Sequence, residues 1–271
     1  HLAANGWEYS ETDDGYDADG LIAVATALIS AGHDVVVGAP SSERSGSGSS
    51  LGTIEDGALI ATTEHRLPDL GDTPVFALDC PPALTAVAFC AGAFGPPPEL
   101  VVSGINEGHN TGRSILFSST VGAVLAARVA GVSGVAVSCG FAPHHRYDTA
   151  AAVTERVVGW MAETPAAPMT LNVNVPDVNF TALRGIRVSA LASRSMFTLR
   201  LSRTESGLLI NREERQSGFR DGTDSAAVAD GYVSVTTLRG VVADNDSLGD
   251  AETALRQAIT RDDEVGLAQL R

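Results

Sequence analysis

Leu100-Val101-Val102-Ser103 runs directly into Gly104-Ile105-Asn106-Glu107-Gly108, an apolar stretch followed by a polar loop bracketed by glycines. A strand with no polar alternation is one buried on both faces, the state of strands in a parallel sheet covered by helices. Gly95-Pro96-Pro97-Pro98 makes the turn before it. Downstream, residues 120–129 read as a helix of small residues and 135–138 as another apolar strand. Upstream, residues 21–31 read as a helix ending at Gly32, 33–37 as a short buried strand and 74–78 as a further strand. Residues 81–91 read as a helix whose prolines are tolerable in the first turn alone. A long helix over 150–163 and a strand over 170–175 continue the alternation.

Alternation of this kind predicts an α/β fold with a mostly parallel sheet covered on both faces. Ligands in such sheets bind at the carboxyl ends of the strands, near the point where strand order reverses. The loops carrying Ser45, Asn106 and Ser118 all follow strand-like segments, so they are expected to converge there.

Past Asn179 the texture changes. Segments 186–191, 196–201, 208–211 and 232–238 read as strands separated by polar stretches, with 212–230 as a charged loop and 251–260 as a closing helix. The region holds too few apolar residues for a core of its own. It is read as a hairpin-bearing extension that packs on a second copy.

Composition sets bounds on function. The 271 residues carry 33 acidic and 18 basic side chains, a net charge of −15. Nucleic acid and anionic membrane both call for a basic face, so neither is expected as a partner. An anionic substrate meets the same repulsion, which a bound divalent cation offsets. Cys80, Cys90 and Cys139 are widely spaced and odd in number, which predicts free thiols in a reducing compartment. No apolar run reaches membrane-spanning length. Residues 1–10 lack the basic start and apolar core of a secretory signal, and the expected location is the cytoplasm.

Four short elements carry the chemistry. Thr12-Asp13-Asp14-Gly15, Arg44-Ser45-Gly46, Ser103-Gly104-Ile105-Asn106 and Phe117-Ser118-Ser119-Thr120 together offer two carboxylates, a hydroxyl and an amide oxygen. Those are hard oxygen donors, suited to Mg²⁺ or Mn²⁺. The last element opens a helix, whose free N–H groups attract a phosphate. Taken singly, each has a plainer reading: a turn at 13–15, a flexible surface loop at 41–50, a turn-forming Asn106, an ordinary cap at Ser118. An EF-hand is excluded, because Val24 stands twelfth from Asp13, where a glutamate is required. The Ser/Gly loop lacks the Gly-Lys ending of a P-loop, and Leu51 occupies the place of a third dinucleotide glycine. His109 is read as a surface or substrate-lining side chain, and the pair His144-His145 as solvated.

Assembled in this order, the blocks resemble the SurE family of metal-dependent 5′-nucleotidases, also described as survival acid phosphatases. The resemblance runs from about Thr12 to Leu238. It is strongest at residues 13–20, 39–45, Asp79-Cys80, 101–106, 118–122, Leu171-Asn172-Val173-Asn174-Val175-Pro176 and 230–235. It implies a Rossmann-like three-layer core over 1–180, and a hairpin and helix extension over 181–271 that joins dimers or tetramers, in a single domain overall. It also implies a divalent ion held by Asp13, Asp14, Ser45 and Asn106, as Mg²⁺ or Mn²⁺, with Ca²⁺ also able to occupy the site. Asp13 and Asp14 are then the catalytic pair, and Ser45, Ser103, Gly104, Asn106, Ser118, Ser119 and Thr120 line the phosphate. Thr12 replaces the family's asparagine, Ser119 a glycine, and Ala126 a common glutamate. Trp7-Glu8-Tyr9-Ser10-Glu11 lacks the aliphatic pattern of the family's first strand. The expected reaction is hydrolysis of a phosphate monoester, a nucleoside 5′-monophosphate first. The alternatives are a sugar or specialised-metabolite phosphate, or a catalytically silent nucleotide-binding homologue.

Overall fold

The computed structural model describes residues 7–11 (backbone only), 15–52, 54–140, 145–164 and 167–242. In chain order, strand Trp7–Glu11 (β1) precedes helix Asp19–Ser30 (α1), strands Asp34–Pro40 (β2), Thr62–His65 (β3) and Val75–Leu78 (β4), and helix Pro82–Cys90 (α2). Strand Leu100–Glu107 (β5), helix Ser119–Val129 (α3), strand Ser133–Cys139 (β6), helix Tyr147–Glu163 (α4) and strand Thr170–Asn174 (β7) follow. Then come Ile186–Val188 (β8), Phe197–Thr204 (β9), Gly207–Glu214 (β10), the short helix Asp224–Ala229 (α5) and Val233–Leu238 (β11). These elements belong to one compact unit, His1–Leu238, and the residues from Arg239 form a second.

Local chemistry accounts for the helix limits. In α1 the buried Leu21, Val24, Ala25 and Leu28 recur at helical spacing, and Asp19 places a negative charge in the first turn. Gly32, at φ +90°, ends it by turning the chain left-handed while the His33 N–H reaches back to the Leu28 carbonyl. Pro82 sits in the first turn of α2, where no N–H is required of it. Ser118 caps α3, its side chain accepting from the Val121 N–H at 3.2 Å.

Among the described residues, nine strands form one sheet in the order β3-β4-β2-β1-β5-β6-β7-β11-β8. The pairs from β4 through β7 are parallel, and antiparallel pairing enters where β3 meets β4 and β11 meets β7. Progression runs one way from β1 to β2 and β4, and the other way from β5 to β6 and β7. The switch point therefore lies between β1 and β5, where crevices open at the carboxyl edge. Helices α1 and α4 cover one face, over Val35, Val37, Val102, Val135, Val137 and Val173. Helices α2 and α3 cover the other, over Val36, Val101 and Ala136. The result is the three-layer α/β core expected from the sequence. A separate two-stranded sheet, β9 with β10, forms the C-terminal hairpin. No helix among the described residues is long and apolar enough to cross a membrane.

Three segments depart from the sequence reading. Trp7–Glu11 has no aliphatic pattern, yet its backbone is a central strand, because β2 and β5 pair with it from both sides. Strand β3 pairs with β4 as an exposed edge, where burial leaves no apolar signature. The stretch 212–230 is not all loop: β10 extends to Glu214, and α5 packs beside β11. The helix read at 251–260 lies outside the described residues.

Candidate active site

The carboxyl end of β5 builds the first wall. Ser103 is fully buried, and its Oγ has no hydrogen-bond partner among the described residues. At Gly104 the backbone takes φ +129°, and an added Cβ would lie 2.3 Å from the Val137 carbonyl oxygen. Glycine is required there on both counts. The register with β6 shifts between Ser103 and Asn106, which pair with Ala136 and Ser138. This extra residue re-aims the strand. Ile105 goes to the α1/α4 side, and Asn106 turns to the α3 side shared with Ala136.

Asn106 donates its amide N–H to the Gly108 carbonyl at 2.7 Å, which settles which end of the carboxamide is oxygen. That oxygen accepts the Thr120 hydroxyl at 3.3 Å. A hard oxygen donor is thus held against the first turn of α3.

The Ser/Gly loop makes the second wall: it lies largely at the surface, as its plainer reading has it, but it is stapled to the start of α3. Ser119 Oγ donates to the Arg44 carbonyl at 2.7 Å, accepts from the Ser47 N–H at 3.0 Å and lies 2.9 Å from Ser47 Oγ. The Gly48 N–H donates to the Phe117 carbonyl at 3.2 Å. Gly122 on α3 is packed so closely on Gly48 that an added Cβ would sit 2.2 Å from its carbonyl oxygen. Between these staples Ser45 stays exposed, with no partner among the described residues. Arg44 itself pairs with Asp79 at 2.6 Å, an exposed contact that orients the arginine more than it stabilises the fold.

Ser45, Asn106 and Ser118–Thr120 are therefore brought together around the start of α3. Asp13 and Asp14 lie outside the described residues. On their N-terminal side Glu11, the last residue of β1, pairs with Ser103. On the C-terminal side Gly20 packs on the Ile105 carbonyl, an added Cβ falling 2.3 Å from it. Among the described residues no three His, Cys, Asp or Glu side chains converge as a metal cluster.

Two histidine readings are corrected. His109 is buried, not on the surface, and donates Nε2–H to the Val175 carbonyl at 2.9 Å. Burial lowers its pKa to about 4, opposed by the Val175 bond and the charge of Asp177. His145 is not solvated: its side chain is 19% exposed, Nδ1 lies 3.0 Å from the Gly140 carbonyl and Nε2 lies 3.5 Å from Glu107. Glu107 also accepts the Tyr147 hydroxyl. The acidic partner is 38 residues away (145 − 107), so local spacing carries no sign of it. His144 lies outside the described residues. Cys139, at the end of β6, is no nucleophile: burial, then Asp177 and Glu107, push its thiol up to about 12.

His109 makes a stability prediction. The unfolded imidazole takes a proton near pH 6.5 and the folded one only near pH 4, so acid favours the unfolded chain. The stability present above pH 6.5 is lost as pH falls toward 4, by about 3 kcal/mol. Urea unfolding of wild type and His109→Gln at pH 7 and 4.5 checks this; the variant is expected to lose less stability over that interval.

Residues not singled out as site residues complete the scaffold. Asn172 and Asn174 both donate to the Asn110 carbonyl, at 2.8 and 2.9 Å, and Asn110 donates to Ser138 Oγ at 2.9 Å. The signal for them is polar residues at period two in an otherwise apolar strand.

A doubly wound sheet with a serine-capped helix and oxygen side chains at its switch point defines an α/β protein of the class that binds ligands at its strand ends. A family model described as Survival protein SurE matches residues 11–198. The chain belongs to the SurE family, as the resemblance in its sequence implies. It is 35% identical over 232 residues to the 5′/3′-nucleotidase SurE of Edwardsiella ictaluri, covering 84% of this chain and 87% of that protein. It is 34% identical over 235 residues to the 5′-nucleotidase SurE of Stenotrophomonas maltophilia strain K279a, with the same coverage. The crystal structure of the SurE protein from Aquifex aeolicus superposes with a TM-score of 0.76 at 29% identity, over 92% of this chain and 99% of that one.

Proposed function

We propose that the chain hydrolyses phosphate monoesters, with nucleoside 5′-monophosphates as the main substrates. The observation that carries this is the start of α3, stapled through Ser119 to the Ser45 loop and faced by the Asn106 oxygen. Its relatives' names, 5′-nucleotidase and 5′/3′-nucleotidase, support the same reaction.

The donor set fits a divalent ion. Ser45 has an exposed hydroxyl, Asn106 has its carbonyl oxygen oriented, and both are oxygen donors of the hard class. Asp13 and Asp14 are assigned as the carboxylate ligands beside them. Bound there, Mg²⁺ or Mn²⁺ offsets phosphoryl charge and lowers the pKa of a coordinated water.

The chain's own groups do the rest. Ser118, Ser119 and Thr120 bind phosphoryl oxygens through the backbone N–H groups at the opening of α3, joined by the Ser118 hydroxyl. Ser103 Oγ, buried without a partner among the described residues, and the backbone at Gly104 line the floor. Thr120 keeps the Asn106 oxygen in place. One of the two aspartates takes the proton from the attacking water.

A second copy of the chain is the proposed partner, in a homodimer or homotetramer with 181–271 as the oligomerising part. Leu199, Leu201, Leu208, Leu209 and Ile210 are all exposed on the β9–β10 hairpin, a two-stranded unit that is marginal alone. Cys80, Cys90 and Cys139, widely spaced and odd in number, support a cytoplasmic setting.

The test is phosphate release from nucleoside monophosphates and sugar phosphates, with and without chelator. Release from the nucleotides is expected to exceed that from sugar phosphates by at least about tenfold, a difference that one buried hydrogen bond to a nucleoside can supply. Chelator should abolish it and Mn²⁺ restore it. Chelator-insensitive release, or none with Mn²⁺, Mg²⁺ or Ca²⁺, rules the reading out.

A further inference from the structure

Asp224 is a carboxylate with no exposed surface and no cation partner among the described residues. Burying an unpaired charge is costly unless several donors compensate it. Here three backbone N–H groups do so: Gly112 at 2.7 Å and Ala192 at 2.9 Å, from distant parts of the chain, and Ser225 at 2.7 Å, its own neighbour. Burial pushes the carboxyl pKa up, and the three backbone donors, with the Ser225 side chain, oppose that shift.

The segments it joins matter for the site. Gly112 opens the 3₁₀ turn Gly112–Phe117, which runs straight into Ser118 and the phosphate-facing start of α3. Ala192 lies in the stretch leading to Phe197, the first residue of the hairpin. The two segments touch closely. The Met196 N–H donates to Thr111 Oγ1 and the Ser114 N–H to Ser195 Oγ, each at 3.1 Å. Gly112 sits at φ +60°, and an added Cβ would lie 2.9 Å from the Ala192 carbonyl oxygen.

We propose that Asp224 is a positioning residue for the phosphate-binding turn: by holding Gly112 to Ala192 it sets where Ser118, Ser119 and Thr120 present their donors. The proposal rests on the phosphatase reading above and deepens it. Asp224 touches no substrate and acts through the Gly112–Phe117 turn, which joins the hairpin root to the site. Ser45 and Asn106, assigned to the metal, meet this turn through Ser119 and Thr120, one step further from Asp224 than the phosphate donors.

Asp224→Asn is the test, because it keeps the shape and replaces one acceptor oxygen by a donor that faces N–H groups. Inhibition by inorganic phosphate is expected to weaken, and KM to rise, by about tenfold, in proportion to a lost charge-assisted bond. The Mn²⁺ concentration for half-activation is expected to shift by much less than KM, since Ser45 and Asn106 meet the turn only through Ser119 and Thr120. Unchanged phosphate inhibition at a temperature where the variant is folded overturns the proposal, and so does an equal loss of Mn²⁺ affinity. Should Asp224→Asn not fold, Ser195→Ala removes the Ser114 contact alone, and a weakening of about threefold is expected; no change there overturns it as well. A wild type that neither releases phosphate nor responds to it sinks the phosphatase reading itself. A responsive wild type with an unaltered variant sinks the Asp224 role alone.

Discussion

Asp14→Asn is expected to lower kcat/KM for metal-dependent phosphate release by about a thousandfold, the scale of losing a ligand charge in a phosphoryl-transfer site. The reason lies in charge accounting across the molecule. At net −15 the chain repels a phosphate dianion unless a cation intervenes. Among the described residues the oxygens assigned to that cation, from Ser45 and Asn106, are neutral, so on the proposed reading the formal charge that retains it comes from Asp13 and Asp14. Asparagine keeps the shape and one oxygen but removes a full charge, which separates electrostatics from packing. Steady-state rates with saturating Mn²⁺, beside a calorimetric Mn²⁺ titration, check both parts. Full metal-dependent activity in the purified variant would falsify the ligand assignment.

Gly122→Ala is expected to cost about a hundredfold in activity and roughly 2–4 kcal/mol in stability, the range of overpacking against backbone that cannot yield. Helix propensity alone predicts the opposite, since alanine is favoured over glycine inside a helix by about 1 kcal/mol. Packing decides. The new Cβ would fall 2.2 Å from the Gly48 carbonyl oxygen and 2.5 Å from its carbon. Gly48 cannot retreat freely, because its N–H is bonded to the Phe117 carbonyl and Ser47 is bonded to Ser119. Either α3 shifts or the loop carrying Ser45 lifts away, and both outcomes spoil the site. Gly159→Ala in α4 is the control: an added Cβ there meets nothing within 4 Å, and that variant is expected to gain about 0.5–1 kcal/mol with unchanged activity. Urea denaturation and kcat/KM on the two variants separate propensity from contact.

The parallel sheet is legible in the amino-acid order because residues such as Val35, Val36 and Val37, or Val101 and Val102, are apolar on both sides of the strand. The start of α3 is legible as well, since a serine cap acts within one turn. So is the convergence of Ser45, Asn106 and Ser118, which follows from strand ends in an alternating α/β chain. Trp7–Glu11 escapes this logic. Its strand conformation comes from hydrogen bonding to β2 and β5, and backbone pairing leaves no mark on side-chain pattern.

Short-range chemistry, the apolar run, the cap and the turn residue, thus suffices to name the layers and to nominate oxygen-bearing side chains. Long-range contact settles what those side chains do. The bulge at Gly104 chooses the face that Asn106 looks toward, and Ser119 converts a Ser/Gly loop from loose chain into a wall. Burial beneath Val175 makes His109 a neutral strut, and Glu107 draws in a histidine from 38 residues away. The division has a physical cause: propensity and capping act over one helical turn or one strand, whereas desolvation, register and close backbone approach exist only once distant segments have met.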